Sequence, residues 1–290
     1  MKNKVAFQQV DVFTTKPYRG NPVAVVMDGD QLTTQQMQQI ANWCHLSETT
    51  FVCSPTNSQA DYRLRIFSPQ HELPFAGHPT IGSAKAVLNS GLIPKNKDYL
   101  VQECGKGLVK IYIKRDQLFL TLPQPQKKVV SPELLKDISK YIGFSDKEIK
   151  LSEIIDVGAV WVTLQLKNDQ QVLNLNPNFG ELGKALPAGI TGVTVFGEKA
   201  AKENTDFEVR SFVPNEGVTE DPVCGSGNGC VAIMIKDHKL LSKNDYTVSQ
   251  GQKLGRAGRV RVYLDKNGEI LVGGQAISCI SGDILLPLSE

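Results

Sequence analysis

"EDPVCGSGNGCVA" at residues 220–232 packs acids, two cysteines, three glycines and the start of an apolar helix into one short stretch. "ELPFAGHPTIGSA" at 72–84 reads as the same phrase, with Ala76 standing where Cys224 stands. The echo extends outward in both directions. "RIFSP" at 65–69 matches "RSFVP" at 210–214, and "GLVKIYI" at 107–113 matches "GRVRVYL" at 258–264. Arg65 to Arg210, Glu72 to Glu220 and Gly107 to Gly258 step by 145, 148 and 151 residues. Three matches in one order, with small drifts for insertions, indicate a duplicated unit of about half the chain.

Local signals support strand–turn–helix modules in each half. Thr33 and Gln36 have capping-box spacing, and Leu32 with Met37 fits a hydrophobic staple. Met37, Ile40, Ala41 and Cys44 then share one helical face, and "TTFVCS" follows as a β-branched, aromatic strand. "GHPTIGSAKAVLNSG" places Pro79 at a first helical position and Gly91 as a cap. Ser131, Pro132 and Gly143 repeat that arrangement around "SPELLKDISKYIG". Many short strand-like runs surround these helices, and Asn267-Gly268 between the last two signals a hairpin. Strands dominate without regular strand–helix alternation, so the expected class is α+β. The polar, proline-bearing "PQPQKKVVSP" at 123–132 marks a boundary. The expected halves are 1–124 and 125–280, with 281–290 as a candidate completion of the first.

The chain has 290 residues and is 41% apolar, ample for a packed core. Its net charge of +2 argues against a nucleic-acid surface, which needs clustered basic residues. No secretory h-region and no long apolar run appear, so the expectation is a cytoplasmic protein with no membrane contact. Six cysteines without a C-x-x-C pair give no structural zinc signature; most read as small buried side chains.

Each repeat sets an acid and a glycine turn directly before a helix, whose N-terminus carries unsatisfied N–H groups and partial positive charge. Two such turns facing one cleft between the halves would suit a substrate carboxylate. Gly77, Gly82, Gly225, Gly227 and Gly229 would let a ligand approach the backbone; the alternative is tight helix packing. His78 at the helix mouth can donate to an anion or relay a proton, or serve merely as a cap. Glu48, between a helix and an apolar strand, is either solvated or enclosed; enclosed, it becomes an acid/base usable near neutrality. Asp221 and Ser226 can hold polar groups of a ligand or simply start a helix.

Taken with "RGNPVAVV" at 19–26, "LSETTFV" at 46–52 and "QGQKLGR" at 250–256, these strings resemble the phenazine-biosynthesis isomerase family, the PhzF-like proteins. The resemblance implies a fold like that of diaminopimelate epimerase: two pseudo-symmetric, β-barrel-like halves, each wrapped around a central helix, with the active site between them. It implies no metal and no organic cofactor, and commonly a homodimer. The glutamate of the family's LSET motif moves a proton, and Glu48 matches it. His78, Asp221 and Ser226 match positioning or relay residues, and Gly77, Gly225, Gly227 and Cys224 line the same turns. Diaminopimelate epimerase and proline racemase resemble this fold and use a thiol from each turn. Ala76 breaks that arrangement here. Cys224 is a departure from the threonine of many relatives; it is either a small packing residue or a thiol working with Glu48, its pKa lowered by the adjacent helix.

The leading expectation is a cofactor-independent isomerase that moves a proton on a small carboxylate-bearing metabolite. A racemase or epimerase using Cys224 with Glu48 is the alternative within enzymes. A non-catalytic carboxylate binder is the alternative outside them.

Overall fold

A computed structural model describes residues 4–199, 204–215 and 218–286. The chain divides into two compact units. One runs to Leu120 and takes in the residues from Gly273 onward; the other is Thr121–Val272.

The first unit begins with β1 (Lys4–Val12), β2 (Asn21–Val26), α1 (Thr34–Cys44) and β3 (Thr49–Cys53). It continues through β4 (Tyr62–Phe67), β5 (Glu72–Leu73), α2 (Gly77–Asn89), β6 (Tyr99–Cys104), β7 (Gly107–Lys114) and β8 (Gln117–Thr121). β1 pairs antiparallel with β2 and with the strand Ala276–Leu285. β2 runs parallel to β3, β3 antiparallel to β4, and β4 parallel to β6. The sheet closes around α2, which packs on β1, β2, β3, β4 and Ala276–Leu285. That explains its burial from His78 through Ala84. A helix apolar all round needs such an enclosure. On the other face lies α1, held by the Thr33–Gln36 capping box and packed through Met37 and Ala41 onto Phe51 and Phe67.

The second unit holds β9 (Gln126–Lys128), α3 (Pro132–Ile142), β10 (Leu151–Asp156), β11 (Val160–Gln165), α4 (Asp169–Asn174) and α5 (Phe179–Ala185). After them come β12 (Gly192–Glu198), β13 (Phe207–Phe212), β14 (Glu220–Asp221), α6 (Gly225–Asp237), β15 (Asp245–Gln250) and β16 (Gly258–Leu264). Its connectivity repeats that of the first unit. β10 is antiparallel to β11, β11 parallel to β12, β12 antiparallel to β13, and β13 parallel to β15. α6 is the enclosed helix, buried from Gly227 through Ile235. α3 packs Ile138 and Ile142 on the outer face against Val162, Leu164 and Val193. Ser131, Pro132 and Gly143 are its N-cap, first residue and left-handed cap. The class is therefore α+β, as the sequence indicates. Among the described residues no helix is long and apolar enough to cross a membrane.

The shared R-x-F-x-P and E-x-P strings have a structural explanation. Arg65 donates to both oxygens of Glu72, at 2.8 and 2.7 Å, across the β4–β5 pair. Arg210 does the same to Glu220, at 2.8 Å each, across β13–β14. The acid that precedes each glycine turn is thus committed to an arginine of its own unit, and it fixes where the turn begins.

Candidate active site

In the first unit Glu48 lies just after the left-handed cap of α1 at His45 and immediately before β3. His78 is the second residue of α2, whose N-cap Ala76 has no side chain able to cap. The two elements bring Glu48 Oε2 within 3.4 Å of His78 Nε2, with side-chain exposures of 17% and 7%. Glu48 is enclosed rather than solvated. A carboxylate beside an imidazole at a helix N-terminus can exchange a proton with a ligand, and the helix end favours negative charge there. Pro79 is the third residue of α2, not the first, because Gly77 and His78 already have helical geometry.

In the second unit Cys224 is the N-cap of α6. Its Sγ accepts the Gly227 N–H at 3.2 Å and lies 3.6 Å from Ser226 Oγ. This is the work usually done by serine or aspartate. The side chain is buried, and burial together with the charge of Asp221 pushes the thiol well above its ordinary value of 9.0. The lowering expected from the helix end is real, through the Gly227 N–H, but smaller. A thiol held protonated is a poor base, which weighs against Cys224 as a second base.

Asp221 Oδ1 accepts the Val223 N–H at 3.0 Å, which folds the turn before the helix. Ser226 Oγ accepts from Trp161 Nε1 at 3.1 Å. Gln250 braces the same turn. Its Oε1 accepts from the Cys224 N–H at 3.1 Å and from Asn228 Nδ2 at 2.7 Å, and its Nε2 donates to the Asp221 carbonyl at 3.0 Å.

The turn glycines divide by environment. A Cβ on Gly77 would meet only Leu120, at 4.0 Å. One on Gly82 would lie 2.3 Å from Val23, and one on Gly229 would lie 2.7 Å from Leu122. Gly82 is required by packing, since Val23 is buried and β-branched, whereas the half-buried end of Leu122 can turn away from Gly229. Gly227 is also hemmed in: a Cβ there would lie 2.8 Å from Ser211 Oγ, and its N–H already serves Cys224. The sequence reading did not single out Trp161, Gln250 or Asn228. Gln250 sits in the "QGQKLGR" string, directly before its first glycine.

The family model for "Phenazine biosynthesis-like protein" matches residues 10–282. A Schizosaccharomyces pombe protein named antisense-enhancing sequence 1 is 43% identical, covering 96% of this chain and 97% of its own. The trans-2,3-dihydro-3-hydroxyanthranilate isomerase of Pseudomonas chlororaphis is 30% identical, covering 96% and 98%. The crystal structure of a PhzF-family phenazine biosynthesis protein from Bacillus anthracis superposes with a TM-score of 0.85 at 26% identity, covering 98% and 100%. The chain belongs to the phenazine biosynthesis-like (PhzF) family and is an isomerase of that family, with the α+β fold of the diaminopimelate epimerase kind.

Proposed function

We propose that this isomerase moves a proton between two carbons of a small carboxylate-bearing metabolite without a metal or organic cofactor. Glu48 takes the proton from an activated carbon, leaving its electron pair in the conjugated system. It returns a proton at a second carbon, so atoms and charge balance and nothing is oxidised. His78 holds Glu48 and relays or donates to the substrate. Gly77 lets the substrate approach the start of α2 beside Glu48 and His78. In the second unit, taken by itself, the turn of Asp221, Gly225 and Ser226 offers the serine hydroxyl and the N-terminus of α6 to a carboxylate. The observation that carries the reading is the enclosed Glu48–His78 pair at 3.4 Å, at the LSET position of a chain whose relatives include a named dihydro-hydroxyanthranilate isomerase.

The test is proton exchange in deuterated water on ring-bearing and aliphatic carboxylates. Migration of a double bond with one solvent deuteron gained supports the isomerase. Inversion at a stereocentre with deuterium at that carbon would make it a racemase instead. Tight carboxylate binding with no exchange on any compound would make it a binder.

A further inference from the structure

The duplication lets the two units be compared position by position. Phe51 faces Arg65 across β3–β4, and Val195 faces Arg210 across β12–β13. Aligning the arginines therefore equates Thr49 with Val193, and Glu48 with Gly192 one step earlier. Ala24 faces Thr49 and Val162 faces Val193, so Val23 corresponds to Trp161. The turn strings equate Ala76 with Cys224 and hence His78 with Ser226. The Glu48–His78 pair of the first unit thus has Gly192 and Ser226 as its counterparts in the second.

A side chain has no room at Gly192. A Cβ there would sit 2.1 Å from the Phe212 carbonyl oxygen and 3.0 Å from Trp161 Cζ3. Trp161, 1% exposed, fills the space beside it and reaches Ser226 instead. An indole N–H can only donate, so Ser226 Oγ is the acceptor in that bond and its own hydrogen is turned elsewhere. Its near neighbour is Cys224 Sγ at 3.6 Å, a weak acceptor that already holds the Gly227 N–H. A carboxylate oxygen would outcompete that sulfur for the hydroxyl.

We propose that Trp161 is a positioning residue for anion recognition: by donating to Ser226 Oγ, it commits the serine hydroxyl to donate to the substrate carboxylate. The proposal rests on the carboxylate reading above and adds to it the group that sets the serine's polarity.

The test uses 2-aminobenzoate and its uncharged twin 2-aminobenzamide as probes, titrated by NMR into wild type, Trp161→Phe, Ser226→Ala and the double variant. Loss of one hydrogen bond to a charged group predicts roughly 10-fold weaker 2-aminobenzoate binding for Trp161→Phe, with the amide unchanged. The double variant should bind no more weakly than Ser226→Ala alone, because both changes remove one interaction. Trp43 is the other tryptophan and is exposed, so Trp43→Phe leaves a single indole N–H resonance, that of Trp161. Titration of 2-aminobenzoate should move that resonance when Ser226 is present and leave it still in Ser226→Ala. Binding by Trp161→Phe within twofold of wild type, additive losses, or an indole resonance indifferent to the probe would overturn the proposal while sparing the carboxylate reading. Should Trp161→Phe not fold, the resonance test stands by itself. Failure of wild type to bind 2-aminobenzoate or any ring-bearing or aliphatic carboxylate of the exchange panel would remove the carboxylate reading, and this proposal with it.

Discussion

Arg210 grips both carboxylate oxygens of Glu220 at 2.8 Å, and its remaining nitrogen donates to the Val172 and Leu175 carbonyls at 3.3 and 2.7 Å. Every strong interaction of that guanidinium is made within one unit, with both partners buried. Removing one member leaves a buried charge alone. Glu220→Gln should therefore cost about 3–5 kcal/mol in urea unfolding, whereas Arg210→Met with Glu220→Leu should cost less than the single change. The matching Glu72→Gln, at a more exposed pair, should cost about 1 kcal/mol or less.

Glu48→Gln keeps the shape of the side chain and removes its ability to accept a proton. Solvent-deuterium incorporation into substrate should fall by about 10²–10⁴-fold, while the melting temperature and carboxylate binding stay close to wild type. Exchange at the wild-type rate would take Glu48 out of the chemistry.

Cys224 is expected to behave as a cap. Cys224→Ser should preserve both stability and turnover, since a hydroxyl caps as well as a thiol; Cys224→Ala should lose about 0.5–2 kcal/mol. Turnover abolished in the serine variant would restore a role for the thiol.

The same residue makes a pH prediction. Its folded pKa lies above the ordinary 9.0, so above that pH the unfolded chain loses the thiol proton while the folded chain keeps it. The folded state then binds more protons, and stability falls as pH climbs from about 9. Cys224→Ser should lessen that slope, measured as unfolding free energy between about pH 8 and 10, and leave the share that comes from Cys44, Cys53 and Cys230, whose thiols burial also raises. Thiol labelling at Cys224 should be slow in native protein and fast in urea.

Gly77→Ala and Gly82→Ala separate ligand approach from packing. The first adds a methyl that meets only Leu120, so it should fold at least as stably as wild type and weaken substrate binding. The second drives a Cβ into the buried, β-branched Val23 and should cost about 1–3 kcal/mol.

The duplication was legible because it lives in the order of letters, and the modules because capping and turn chemistry are local. Thr33 with Gln36, and Ser131 with Gly143, show this. Glu48 was marked by its neighbours, but its closeness to His78 depends on how α2 enters the sheet. The acids Glu72 and Glu220 are visible as repeated letters, but the letters name no partner for them. Their true partners follow from strand pairing, which sets each arginine diagonally opposite its acid. Trp161 left no signal, because its partner Ser226 lies 65 residues away and a buried tryptophan ordinarily just fills a core.

The crowding around Gly192 also limits where evolution can take this chain. Placing an acid at that position takes more than one codon change, because the indole must shrink and the Phe212 peptide must shift at the same time. A second base there is several concerted changes away from this chain.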